Sequence, residues 1–213
     1  MRTAFDGYLR ELSTEMADIG ALCEEAIDRA ARSFLEGDLA LAETLPGLSC
    51  TLDRKEREIE SMCLKLLMRQ QPVASDLRII SAALKMVTDM ERIGNQSADI
   101  AEIVLTAEPP ANERTGTYQH MALSVIRMVS DSVDAFLQSD AEKARAVIAY
   151  DDVVDKAFDD IKHQLIDGLR SQPQPSAYTV DLLMISKYLE RIGDHAVNIG
   201  KWVVFSVTGE IPK

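Results

Sequence analysis

Glu91, Asn95 and Asp99 stand at i, i+4 and i+8. On a helix, successive members of such a row lie about 6 Å apart along one face. Glu190, Asp194 and Asn198 repeat the spacing 99 residues later. Each row offers two carboxylates and one carboxamide. Asp53 and Glu56 precede the first row, and Asp152 and Asp155 precede the second. Turn signals near residues 72 and 173 set these acids opposite the rows if each pair of segments forms an antiparallel hairpin. Like charges brought together cost free energy, and a bound cation relieves the cost. All-oxygen donors suit Mg, Mn, Ca or ferric iron better than a thiolate-seeking metal. The same pattern describes a solvated acidic face softened by Arg54, Lys55, Arg57 and Arg92.

Other chemistry is thinly represented. His195 follows Asp194 but sits one helical position off the row. Asp160 and His163 resemble half of a di-iron element, and the three histidines of the chain cannot supply the rest. There is no phosphate-cradling glycine loop, no dinucleotide fingerprint, no zinc-protease motif and no nucleophile paired with histidine. The expectation is a protein that is not an enzyme.

The elements that position the rows are helical by composition. The 213 residues include 10 Gly, 7 Pro and 5% aromatics, a usage poor in helix breakers and strand formers. With 23 Lys+Arg against 35 Asp+Glu, the formal net charge is −12. Such a chain is unsuited to nucleic acid or anionic membrane surfaces, both of which select cations. No apolar run approaches the ~18 residues of a membrane span, and the first residues lack an apolar signal core. Cys23, Cys50 and Cys63 have no paired spacing and read as reduced, mostly buried thiols of a cytoplasmic protein.

Apolar residues at Leu9, Leu12, Met16, Ile19, Cys23, Ala26 and Ala30 step by three and four, the stripe of a bundle helix. Gly37-Asp38 ends it. Pro46-Gly47 predicts a break before a second long helix reaching about residue 70. Ser75 or Asp76 is placed to cap a third helix. The same plan returns over 117–138, 141–169 and 179–205. Residues 84–104 and 183–203 share seven of 21 positions at an offset of 99, with Glu-Arg-Ile-Gly at 91–94 and 190–193. That offset pairs Asp53 with Asp152 and Glu56 with Asp155. The first helices align at 102, pairing Asp38 with Asp140, and the difference is assigned to the Pro46-Gly47 insert. The expected fold is all-α: two tandem, pseudo-symmetric three-helix bundles with six long helices. Residues 1–108 form the first, 113–213 the second and 109–112 the linker. Gly94 and Gly193 are expected where neighbouring helices approach closely.

Gln70-Gln71-Pro72-Val73-Ala74-Ser75-Asp76-Leu77-Arg78, the block at 91–94 and the run Leu189–Ile199 resemble the PhoU family, regulators of bacterial phosphate uptake. The resemblance spans nearly the whole chain and implies the same two-bundle fold. It implies metal held at E(D)xxxD motifs: Glu190 and Asp194 match, whereas Asn95 replaces the second acid after Glu91, with Asp99 one turn on. Asp53, Glu56, Asp152 and Asp155 are similar to the family's second-helix acids, with Asn198 on the second row. Fe, Mn, Mg, Zn or Ni are the cofactors implied. So are partners: the ATPase subunit of the phosphate transporter, a membrane sensor histidine kinase and a second copy of the chain. The implied activity is negative regulation by a cytoplasmic adaptor. The alternative is a metal-storage or metal-dependent helical protein outside phosphate signalling.

Overall fold

A computed structural model describes residues 2–69, 73–107, 115–171 and 177–212. They form six helices: α1 (Arg2–Glu36), α2 (Leu39–Arg69), α3 (Ala74–Thr106), α4 (Thr115–Gln138), α5 (Ala141–Ser171) and α6 (Ala177–Thr208). α1 packs on α2 and α3, and α4 packs on α5 and α6. The two bundles meet through α3 on α6 and through α1 on α4. The helices therefore form a front layer in the order α2-α3-α6-α5, with α1 and α4 side by side behind it. The expected linker at 109–112 and the turns at 70–72 and 172–175 lie outside the described residues.

The stripe on α1 becomes core. Leu12, Met16, Ile19, Cys23, Ala26 and Ala30 are buried, each turning the same face to α2 and α3. Pro46 does not break α2, which runs through it. A proline inside a helix removes one hydrogen bond and crowds the preceding turn. Here Leu45 and Leu52 are fully buried on either side while Pro46 faces solvent. Packing of the apolar face carries the helix past its weak point, as it does for most protein helices.

The corners between first and second helices are built alike. Gly37 (φ 71°) and Ser139 (φ 52°), 102 residues apart, both adopt the left-handed conformation. Ser139 N donates to Phe136 O at 3.1 Å and Asp140 N to Ala135 O at 2.9 Å, closing α4. The following aspartates then cap the next helix. Asp38 Oδ1 accepts from Leu41 N at 3.2 Å, and Asp140 Oδ1 accepts from Glu142 N and Lys143 N at 3.0 Å each. α3 starts differently from expectation. Its N-cap is Val73, with no side-chain cap, and Asp76 lies within the first turn, where its charge meets the helix dipole.

The offset of 102 persists through the second helices. Leu45, Leu52, Ile59 and Cys63 fill the core where Val147, Val154, Ile161 and Leu165 fill it in the second bundle. Leu52 lies over Gly94, so close that a Cβ there would meet its Cδ1 at 2.4 Å; Val154 lies over Gly193, with Cγ1 at 3.3 Å. The third helices keep the offset of 99. The three-residue difference therefore falls between the second and third helices, not at Pro46-Gly47. Asp53 corresponds to Asp155, not to Asp152.

Candidate functional site

In the first bundle, α2 and α3 bring Ser49, Asp53 and Glu56 against Glu91 and Asn95. Asn95 Nδ2 donates to Glu91 Oε1 at 2.7 Å, and Ser49 Oγ donates to Asn95 Oδ1 at 2.9 Å. This chain crosses from one helix to the other through neutral groups. Asp53 Oδ1 is buried beside it with no hydrogen-bond partner among the described residues. Burial pushes the Glu56 carboxyl above its usual range, and the charges of Glu60, Glu91 and Asp53 add to the effect.

The second bundle replaces the neutral groups with acids. Ser49 becomes Asp151, Asp53 becomes Asp155, Glu91 becomes Glu190 and Asn95 becomes Asp194. Asp151 Oδ1 lies 3.4 Å from where a Cβ of Gly193 would be, so the missing side chain makes its room. Its carboxyl is pushed up to about 6, by burial first and then by Asp155, Asp194, Glu190 and Asp152. Asp155 is raised by burial and by Glu190 and Asp152. The Glu56 position is taken by Phe158, whose ring lies 5.4 Å below Lys187 Nζ, and that ammonium is paired with Glu190.

Asp151 was missed by the sequence reading, which paired Asp152 with Asp53 and assigned no residue to the Ser49 position. Asp152 is exposed and contributes charge from the next position along the helix. Carrying the α1 offset of 102 forward would have found both Asp151 and Ser49.

The third member of each row faces elsewhere. Four residues make slightly more than one turn, so Asp99 is rotated by about 80° from Glu91. It meets Arg191 and Tyr188 of α6: burial and Glu102 raise its carboxyl while Arg191 opposes the shift. Asn198 Nδ2 donates to Asp89 Oδ1 at 3.2 Å, and His195 Nδ1 lies 2.9 Å from the same oxygen. Asp99 and Asn198 thus belong to the α3–α6 seam between bundles and not to the carboxylate clusters.

The donor sets fit a hard cation by chemistry. The orphaned Asp53 oxygen and the crowding around Asp151 are what a cation would relieve. Among the described residues no three acid, histidine or cysteine side chains already close on one point. For Asp151, Asp155, Glu190 and Asp194 to hold a cation, their carboxylates would have to converge and Lys187 would have to leave Glu190. The cysteines take no part: Cys23 and Cys63 are buried, in line with the expectation of mostly buried thiols, burial holding the Cys63 thiol at about 12, and Cys50 is exposed on α2.

The PhoU domain family matches residues 16–104 and again 118–203, one copy for each bundle. The chain belongs to the PhoU family. It is 31% identical over 207 residues to the phosphate-specific transport system accessory protein PhoU homolog of Pseudomonas aeruginosa, covering 96% of this chain and 86% of that one. It is 32% identical over 217 residues to PhoU homolog 2 of Mycobacterium tuberculosis, covering both chains fully. The crystal structure of PhoU from Pseudomonas aeruginosa superposes with a TM-score of 0.91 at 30% identity, over 97% of this chain and 100% of that chain. The phosphate transport regulatory protein PhoU from Streptococcus pneumoniae also superposes at 0.91, with 27% identity over 98% and 99%. As a PhoU-family chain it has the all-α, two-bundle architecture of those proteins. No helix among the described residues is long and apolar enough to cross a membrane.

Proposed function

We propose that this chain is a cytoplasmic regulator of phosphate uptake that restrains the phosphate-specific transporter and phosphate-starvation signalling as a protein adaptor. The observation that carries the reading is the family match in both bundles, at nearly the full length of relatives named as accessory proteins of phosphate-specific transport. The residues favour docking over catalysis, because among the described residues the one hydroxyl in the clusters, Ser49, donates to an amide oxygen and is paired with no base. In this reading the partners are the transporter ATPase subunit and a sensor histidine kinase, and the chain acts as a homodimer. Deleting the gene and assaying alkaline phosphatase in high phosphate tests it. Constitutive activity is expected; intact repression overturns the role.

Asp151, Asp155, Glu190 and Asp194 are the residues proposed to hold a divalent or ferric cation, which supplies charge neutralisation and a bridge for acidic partners. The alternative reading, metal storage or metal-dependent chemistry, draws on the same four carboxylates. Elemental analysis with a redox and hydrolase screen separates the two: turnover of a defined substrate favours the alternative.

A further inference from the structure

We infer that the groove between α1 and α2 is a docking site for an acidic amphipathic helix of a partner protein. This inference rests on the adaptor reading for the partner's identity, and on the groove itself for its chemistry.

The groove holds about 570 Å³ and is lined by Arg54, Arg57, Lys65, Met62, Leu66 and Tyr8, with Glu11 and Glu58 between the cations. In a chain of net charge −12 this is an unusual place. The ion pairs among the described residues use Lys55, Arg92, Arg29, Arg32 and other cations, and leave Arg54, Arg57 and Lys65 without one. All three are exposed. Three unpaired cations against two carboxylates present net positive charge above an apolar floor, where Leu66 is buried and Tyr8 is 46% exposed.

The length of the stripe selects the occupant. Arg54 and Lys65 are 11 residues apart on one helix, which is about 16 Å. A phosphate or other small anion reaches one end only. A partner helix of three turns or more spans the stripe, with apolar residues on the floor and acids on the cations. Met68, 86% exposed one turn beyond Lys65, extends the apolar contact.

Bundle stability does not demand this charge. At the structurally equivalent places of α5, Arg54 keeps a cation as Lys156, but Arg57 is replaced by Asp159, Glu58 by Asp160 and Lys65 by Asp167. One family fold thus carries a basic groove on the first bundle and an acidic face on the second. The partner meets the chain in one orientation, since its acids find three cations on the first bundle and a lone Lys156 among aspartates on the second.

The test measures binding of three probes to the whole chain: the purified transporter ATPase subunit, the cytoplasmic part of the sensor kinase, and a synthetic amphipathic peptide. The peptide is about 18 residues, or five turns, with Glu on one face and Leu on the other. Arg54→Glu with Arg57→Glu reverses the groove, and Arg54→Gln with Arg57→Gln guards against misfolding; circular dichroism checks both. Asp159→Lys with Asp167→Lys alters the second bundle as a control. The expected result is peptide binding to the unaltered chain that weakens at least about tenfold in both groove variants, stays in the control, and falls with added salt. At least one purified protein should follow the same order. Peptide binding that is absent, or equal in all chains, overturns the groove. Groove-dependent peptide binding with neither protein captured leaves the groove standing and overturns the adaptor reading. Self-association abolished by the groove variants replaces the partner with a second copy and overturns the proposal as stated.

Discussion

Ser49 stands in the first bundle where Asp151 stands in the second. Each lies on the second helix of its bundle, facing the third helix at the Asn95 or Asp194 position. In one bundle a hydroxyl closes a neutral hydrogen-bond chain at 2.9 Å; in the other a carboxylate meets three more. A single duplicated frame holds a closed polar bridge on one side and an open acidic cluster on the other.

Converting the first cluster to the second follows directly. Ser49→Asp with Asn95→Asp should raise divalent-cation affinity at the first bundle by about tenfold or more, because charged ligands dominate binding of hard cations. Asp194→Asn should lower it at the second. Calorimetric titration of chelator-treated protein reads both. If neither variant moves the isotherm, the clusters are solvated faces.

Asp151 makes stability depend on pH. Its folded pKa of about 6 lies above the ordinary aspartate value of about 4. Between these values the native chain holds a proton that the unfolded chain has released. The group's contribution is full below about pH 4 and is lost as pH rises through 6. Asp151→Asn should flatten this slope and, at pH 7 without cation, raise stability by about 1–2 kcal/mol after allowing for solvent screening. Urea unfolding at pH 4, 5, 6 and 7 reads the slope, and a variant as steep as the parent would place its origin elsewhere.

The two glycines under α2 and α5 should respond unequally. Gly94→Ala drives a methyl to within 2.4 Å of the fully buried Leu52 and should cost about 1–3 kcal/mol. Gly193→Ala meets Val154 at 3.3 Å and should be near neutral, because alanine recovers about 1 kcal/mol of helix propensity. Thermal melts of the two variants rank them; equal losses would contradict the geometry.

Ser139 holds the left-handed corner that glycine holds at position 37. Ser139→Gly should relieve part of a strain of about 1–2 kcal/mol and raise the melting temperature by a few degrees, while Gly37→Ala lowers it. Calorimetry in both directions checks the pair.

The seam between bundles should weaken when Asp89 is removed. Asp89→Ala leaves His195 and Asn198 without their shared acceptor and should cost about 1–3 kcal/mol. Asp89→Asn, which keeps an oxygen, should cost less. Chemical denaturation measures both.

Much of this was legible in the chain. The α1 stripe, the paired Asp38 and Asp140 corners and the Glu-Arg-Ile-Gly blocks follow helical periodicity, which sequence displays directly. The register of α2 against α3 was not legible. Pro46-Gly47 carries the local signature of a break, but burial of Leu45 and Leu52 outweighs it, and that burial exists only in the folded bundle. The wrong break shifted the second-bundle acids by three residues and hid Asp151. The rows at i, i+4, i+8 were legible as patterns but not as sites, because a helix turns about 40° between successive members and hands the third to another neighbour.

The placing of α1 and α4 side by side behind the front layer has one more outcome. α3 and α6 run antiparallel in that layer, Asp89 meeting His195 and Asn198 while Asp99 meets Arg191, and α1 meets α4 behind them, so each bundle rests on the other along both layers. A half that opens has to give up both contacts at once, so the tandem repeats should melt together as one cooperative unit rather than one after the other.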